Sequence, residues 1–158
     1  MQFVTVFVGG EEVGLPIDKV REIVEQRPVT RVPSMPPTIL GVTNLRGRVV
    51  PVVDLAGALR LDARAADRWS CFAVVETTFD GDKLQLALHV DAIGRVLEVG
   101  DGEVRAPPTF GARVRLDYLV GMVAVDDSRF ALLLDVARVL SPGELLAAAS
   151  LADEARGG

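Results

Sequence analysis

The chain has 158 residues and a formal net charge of −5, and 49% of it is hydrophobic but only 5% aromatic. That length suits one domain, or two very small ones, around an aliphatic core, and an acidic chain without a basic patch argues against nucleic acid as a partner. One cysteine, Cys71, and one histidine, His89, leave no internal disulfide and no His/Cys metal cluster, while the lack of a basic leader and of any apolar run longer than Phe130–Leu134 sets the expectation of a soluble, cytoplasmic protein that does not insert in a membrane.

In chain order, short Val-, Leu-, Ile- or Phe-rich segments predict strands at Phe3–Val8, Glu12–Ile17, Thr38–Leu45, Arg48–Leu55, Cys71–Thr78, Leu84–Val90, Val96–Val99, Leu119–Val125 and Phe130–Asp135. Turn signals punctuate them at Gly9-Gly10, Arg46-Gly47-Arg48, Asp80-Gly81-Asp82, Gly100-Asp101-Gly102 and Asp126-Asp127-Ser128. The polar, alanine-rich stretch Asp62–Arg68 reads as a linker. Ser141-Pro142-Gly143-Glu144 supplies an N-cap, a proline at N1 and a glutamate at N3, and the apolar stripe of Leu145, Leu146, Ala149, Leu151 and Ala152 predicts a helix near 142–155. Many short strands with tight turns indicate an all-β barrel or sandwich, not a parallel βαβ sheet.

The chain also repeats itself. Phe3-Val4-Thr5-Val6 resembles Phe72-Ala73-Val74-Val75, and Leu15-Pro16-Ile17-Asp18 with Val20 and Ile23-Val24 resembles Leu88-His89-Val90-Asp91 with Ile93 and Val96-Leu97. Thr30-Arg31-Val32-Pro33 matches Val104-Arg105-Ala106-Pro107, Ile39-Leu40-Gly41-Val42 matches Leu119-Val120-Gly121-Met122, and Val52-Val53-Asp54-Leu55 matches Leu133-Leu134-Asp135-Val136. Five matches in one order predict two five-stranded units, roughly 2–60 and 71–140, within one compact double barrel.

The stretch Gly41-Val42-Thr43-Asn44-Leu45-Arg46-Gly47, followed by Val49-Val50-Pro51-Val52-Val53-Asp54-Leu55, resembles the signature of the CheW family of chemotaxis coupling proteins. Arg105-Ala106-Pro107-Pro108-Thr109-Phe110 and Asp117-Tyr118-Leu119-Val120-Gly121 resemble two further family segments, so the likeness runs from Phe3 to the C-terminal helix and makes 1–158 a single CheW-like domain. It implies an all-β fold of two intertwined, small, five-stranded SH3-like barrels around a shared core, with a short C-terminal helix. It implies a non-enzymatic adaptor that couples the cytoplasmic tip of methyl-accepting chemoreceptors to the regulatory domain of a CheA-type histidine kinase. Other CheW-like proteins in rings are further partners, and recruitment to membrane receptor arrays follows. Without a kinase domain or phosphotransfer bundle, the chain reads as the free adaptor. The alternatives are a CheW-like scaffold of a gliding or pilus-motility pathway, and a small-ligand-binding double barrel.

Arg46, on residue type alone, is a solvated turn arginine; the resemblance instead gives it a role in receptor and kinase coupling, to which its planar fork is suited. Val20, Ile23, Ile93 and Val96 are either core or, as the family implies, the border of an apolar crevice that receives a receptor helix. Arg105, Thr109 and Phe110 fall where the family meets the kinase or another coupling protein; Phe110 alternatively anchors its loop, and Thr109 stands where the family commonly has an acid. Asp18, Asp54, Asp91 and Asp135 close apolar strands, where capping outweighs catalysis. No nucleophile–base–orienter set can be assembled, so no enzyme, no metal and no cofactor are expected.

Overall fold

A computed structural model of the chain describes residues 1–106 and 116–157. Among them, ten strands run in the order β1 (Gln2–Val8), β2 (Glu11–Pro16), β3 (Val20–Glu25), β4 (Ile39–Leu45), β5 (Arg48–Asp54), β6 (Cys71–Phe79), β7 (Asp82–Val90), β8 (Ala92–Glu98), β9 (Leu119–Ala124) and β10 (Phe130–Leu134). A short helix α1 (Leu55–Leu59) follows β5, and α2 (Pro142–Gly157) ends the chain.

The strands form two five-stranded sheets of the same order, β8-β1-β2-β10-β9 and β3-β6-β7-β5-β4. In repeat terms both read 3-1-2-5-4, so the sheets do not coincide with the repeat units 2–60 and 71–140. The β1–β2 hairpin of the first unit is inserted between β8 and β10 of the second, and β6–β7 is inserted reciprocally between β3 and β5. The joins are the parallel pairs, with Gly14 opposite Leu133 and Ala87 opposite Val52. This exchange is what intertwines the two barrels, and neither half can close a sheet in this arrangement without the other.

Each sheet curls until its ends nearly meet, and a single two-bond bridge closes the gap. Thr30 and Val42 exchange N–H···O bonds of 2.8 and 2.9 Å, as do Arg105 and Met122. These equivalent bridges align Thr30 with Arg105, one residue away from the sequence match of Thr30 to Val104. Three hairpins share one turn: Gly9–Gly10, Arg46–Gly47 and Asp80–Gly81 all have two positive φ values, 55 and 84°, 51 and 84°, 53 and 84°. That mirror-image turn matches the right-handed twist of the flanking strands, and the second position is glycine each time.

Alternation along the strands sorts the aliphatic side chains into three clusters. Phe3, Val99, Val123, Ala131 and Leu133 fill the first barrel, and Leu45, Val50, Val52, Phe72, Val74 and Ala87 fill the second. The opposite faces of β1–β2 (Val6, Val13, Leu15) and β6–β7 (Ala73, Val75, Leu86, Leu88) pack on each other in a shared central core, with Leu55 and Leu59 of α1 and Ala148 and Leu151 of α2. Helix α2 carries the predicted capping box: Glu144 N–H donates to Ser141 Oγ at 3.2 Å and Ser141 N–H to Glu144 Oε1 at 2.8 Å. Thr38 also donates to Glu144, tying the helix start to the second barrel.

The structure departs from the sequence reading in four elements. Strand β3 was not expected, because Arg21, Glu22 and Glu25 interrupt its apolar pattern; as an edge strand it carries charge that a central strand could not. Strand β8 starts at Ala92, four residues before the predicted Val96. Helix α1 is too short to leave a period, and α2 reaches Gly157 beyond the predicted 155.

Candidate functional site

The signature stretch on β4 and its turn serves the architecture first. Gly41 has φ 149°, and a Cβ there would lie 2.1 Å from the Thr30 carbonyl oxygen, so this glycine lets the closing bridge form. Val42 is the bridge partner, and the buried Thr43 hydroxyl donates to Pro28 O at 3.0 Å. Asn44 Oδ1 accepts from Gly47 N–H at 2.8 Å and shapes the turn, while Leu45 points into the second barrel. What remains for display is Arg46.

Arg46 sits on that turn in the left-handed conformation, its side chain 63% exposed, and its guanidinium is held by Glu22 of β3. Nearby, Arg21 Nη2 donates to Glu76 Oε2 at 2.7 Å and Arg48 donates to Gln85. The Arg21 hydrogen bond, with help from Lys83, holds the Glu76 carboxyl below the usual range. The mouth of the second barrel is therefore a lattice of polar and charged groups drawn from β3, the β4–β5 turn, β5, β6 and β7. Because Arg46 is the exposed member of a pair whose other member, Glu22, is only half-buried, Arg46→Ala is expected to change folding stability by no more than about 1 kcal/mol in a urea titration. A variant that unfolds would make Arg46 a structural residue.

The four apolar candidates divide by repeat. Val20 and Ile23 on β3 are half-buried and pack against the central core. Their counterparts Ile93 and Val96 on β8 are 52% and 57% exposed. The equivalence holds residue by residue: Val20 lies opposite Val75 and Ile93 opposite Val6, Ile23 opposite Ala73 and Val96 opposite Val4. Thus β3 contributes to the core with the residues that β8 presents to solvent. Arg46, through Glu22, is brought to the β3 group and not to the β8 group.

Arg105 is exposed at the seam of the first barrel, its guanidinium 5.7 Å from the Phe130 ring centroid. Thr109 and Phe110 lie outside the described residues. Sequence reasoning missed the strongest charge pair nearby. Glu12, 6% exposed, accepts from Arg95 Nε and Nη2 at 3.1 and 2.9 Å. The Arg95 hydrogen bonds pull the Glu12 carboxyl below its ordinary pKa, against the burial that pushes it up. A depressed carboxyl contributes stability above its unfolded value of about 4.3 and loses it as pH falls through the lower folded value. Arg95→Met removes the largest cause of the lowering and leaves the Thr5 hydrogen bond and the Arg129 charge to offset the burial penalty. The variant should melt well below the parent at pH 7, and the gap should narrow as the pH drops below about 4. A gap that does not change with pH would mean that Glu12 is not the group responsible.

A family model described as a CheW-like domain matches residues 2–144 of the chain. The chain belongs to the CheW family. It is 32% identical over 144 residues to the chemotaxis protein CheW of Klebsiella aerogenes, covering 91% of this chain and 84% of that one. Against the chemotaxis protein CheW of Treponema pallidum the identity is 27% over 150 residues, with 95% and 88% covered. The crystal structure of the scaffolding protein TtCheW from Thermoanaerobacter tengcongensis superposes with a TM-score of 0.78 at 25% identity, covering 90% of this chain and 89% of that one. The exchanged barrels described above are thus the CheW-like fold.

Within that fold the remaining polar candidates are structural. Asp135 accepts from Ala137 N–H at 3.1 Å, the local cap expected, whereas Asp91 accepts from Gly9 N–H at 2.8 Å and so ties the end of β7 to the β1–β2 turn instead of capping its own strand end. Asp54 makes no side-chain cap to α1, and Asp18 lies inside a single helical turn instead of closing a strand. His89 meets Gln26 at 2.9 Å and the edge of Phe72. Cys71 is buried, which pushes its thiol pKa up and away from a reactive thiolate. Among the described residues no group of three or more His, Cys, Asp or Glu could hold a metal. Among the same residues, no helix is long and apolar enough to cross a membrane.

Proposed function

We propose that this single CheW-like domain is a non-enzymatic adaptor joining the cytoplasmic tip of methyl-accepting chemoreceptors to the regulatory domain of a CheA-type histidine kinase. It would act in the cytoplasm, recruited to membrane receptor arrays. The observation that carries the reading is the signature arginine. In a stretch that otherwise serves to close a barrel and shape its turn, Arg46 carries an exposed guanidinium, oriented by Glu22 on the strand that bears Val20 and Ile23. The family match, and the names of the relatives as chemotaxis and scaffolding proteins, support it.

In this reading Val20, Ile23, Arg46, Ile93 and Val96 form the receptor-binding groove. The exposed Ile93 and Val96 supply apolar contact area, and Val20 and Ile23 supply its floor. Arg105, Thr109 and Phe110 meet the kinase regulatory domain or another CheW-like protein in a ring. Each contact can be weak alone, because an array raises the effective concentration of every partner. Calorimetric titration of the chain with a receptor-tip fragment and, separately, with a kinase regulatory domain tests this; saturable binding of both is expected, and binding of neither would reject it. A relative of a different name, protein FrzA of Myxococcus xanthus at 27% identity over 135 residues, supports a second reading, a CheW-like scaffold of a gliding or pilus-motility pathway. The ligand-binding alternative has less behind it: the 890 Å³ cleft between α2 and the β6–β7 hairpin is rimmed by Asp80, Asp82, Lys83 and Asp153, which face one another across open space and do not converge on an enclosed site.

A further inference from the structure

The edge strands β3 and β8 carry a β-bulge at the same place. In β8, Gly94 and Arg95 together face Thr5 of β1; in β3, Arg21 and Glu22 together face Val74 of β6. A bulge bends its strand and re-aims the side chain it carries. In the second barrel that side chain is Glu22, which holds the exposed Arg46. In the first it is Arg95, so here the arginine itself stands on the bulge. A Cβ at Gly94 would lie 2.2 Å from Thr5 Oγ1, and this glycine lets Arg95 N–H donate to Thr5 Oγ1 at 2.9 Å.

Glu12 fixes the other end of the side chain. It accepts from Arg95 Nε and Nη2, and the rest of the guanidinium has no hydrogen-bond partner among the described residues. Side-chain exposure is 47% for Arg95 and 5% for Glu12, beside 63% for Arg46 and 23% for Glu22. Each barrel thus presents an arginine to solvent with a carboxylate set behind it. The fold does not need that carboxylate in the first barrel. Register makes Glu12, opposite Phe7, the counterpart of Gln85, opposite Glu76, and there a neutral amide paired with Arg48 serves. A buried carboxylate costs desolvation that an amide does not, so what Glu12 adds is a fixed guanidinium.

Two neighbours bring this guanidinium toward Arg105. Arg129, whose charge reaches Glu12, precedes Phe130, whose ring lies under Arg105. Leu97, two residues after Arg95, and Val104, next to Arg105, rest on the same core of the first barrel. Asp126, the other acid whose charge reaches Arg95, is already taken up by Ser128 and Arg129.

We propose that Arg95 is a further contact residue of the kinase-facing surface, positioned by Glu12, and that its outward N–H groups bind a carboxylate of the kinase regulatory domain. The inference rests on the adaptor reading and on its placement of Arg105. A planar fork held along one edge by a carboxylate presents its remaining edge in a fixed direction, and a second carboxylate is the group that fits two parallel N–H donors. With backbone and guanidinium both fixed beforehand, little side-chain entropy is left to lose on binding.

The test is calorimetric titration of the full chain with the kinase regulatory domain at about 50 mM and about 500 mM salt. The double variant Glu12→Gln/Arg95→Gln removes both charges together and gives position 12 the residue type of its counterpart. Its affinity for the kinase domain should fall at least about tenfold at low salt and should vary less with salt than the parent's. Its affinity for a receptor-tip fragment should be unchanged. Arg95→Lys, which keeps the charge without the fork, stands in if the double variant melts early, and should lose about threefold or more. A folded variant that binds the kinase domain as tightly as the parent would overturn the proposal and leave Arg95 as the counter-charge of Glu12. Equal losses toward both partners would overturn it too, as would a loss confined to self-association of the chain. A parent chain that binds no kinase domain would instead bring down the adaptor reading, and this inference with it.

Discussion

Gly41→Ala should cost more stability than substitution of any other glycine among the described residues, about 3–5 kcal/mol, and should open the second barrel at its seam. A methyl group at Gly41 would stand 2.1 Å from the Thr30 carbonyl oxygen, and the atom in the way is backbone, which cannot swing aside as a side chain does. The φ of 149° adds strain for any residue with a Cβ. Two companion variants separate these causes. Gly121 is the counterpart in the first barrel, where the Cβ would meet Arg105 O and Val104 Cγ1 at 2.7 Å, a tight contact but partly with a side chain that can turn. Gly47 has φ 84° and open space around it, so Gly47→Ala reports conformational strain alone, about 1–2 kcal/mol. Denaturant titrations should give the order Gly41, Gly121, Gly47 from largest loss to smallest. Equal losses at Gly41 and Gly47 would mean that the seam is not what the glycine protects.

Val96→Asp should leave the melting transition nearly in place and still abolish receptor-tip binding, a loss of at least a hundredfold. Val96 is 57% exposed on an edge strand, so a carboxylate there stays hydrated in the free protein and costs little. In the complex the same carboxylate would be buried against an apolar helix without a partner. Ile23→Asp is the contrast: its side chain rests on the central core, so folding itself should lose about 2 kcal/mol or more. Receptor titrations and melts on both variants distinguish groove from core. Undiminished receptor affinity in a folded Val96→Asp would remove β8 from the groove.

Strand after strand was legible in the sequence because the barrels are lined by Val and Leu at period two and joined by glycine turns, and these leave the clearest local signals. The repeat was legible for the same reason, but the exchange of hairpins was not. Pairing β2 with β10 and β7 with β5 is a choice between two closures that the same repeat pattern allows, and no local residue pattern distinguishes them. Strand β3 was hidden by Arg21, Glu22 and Glu25, whose charges look like a loop until Glu22 is seen to hold Arg46 and Arg21 to hold Glu76. Arg46 could be singled out from the signature, whereas Glu22 could not, since the two are joined only by the curl of the sheet.

The central claim is coupling, and reconstitution measures it most directly. Receptor-bearing membranes, a CheA-type kinase and this chain are combined, and transfer of phosphate from ATP to the kinase is followed with each component left out in turn. The account predicts a large rise in kinase autophosphorylation only when all three are present, reduced by Arg46→Ala and by Phe110→Ala in chains that melt normally. Kinase activity that is the same with and without the folded chain, at concentrations where it binds both partners, would contradict it.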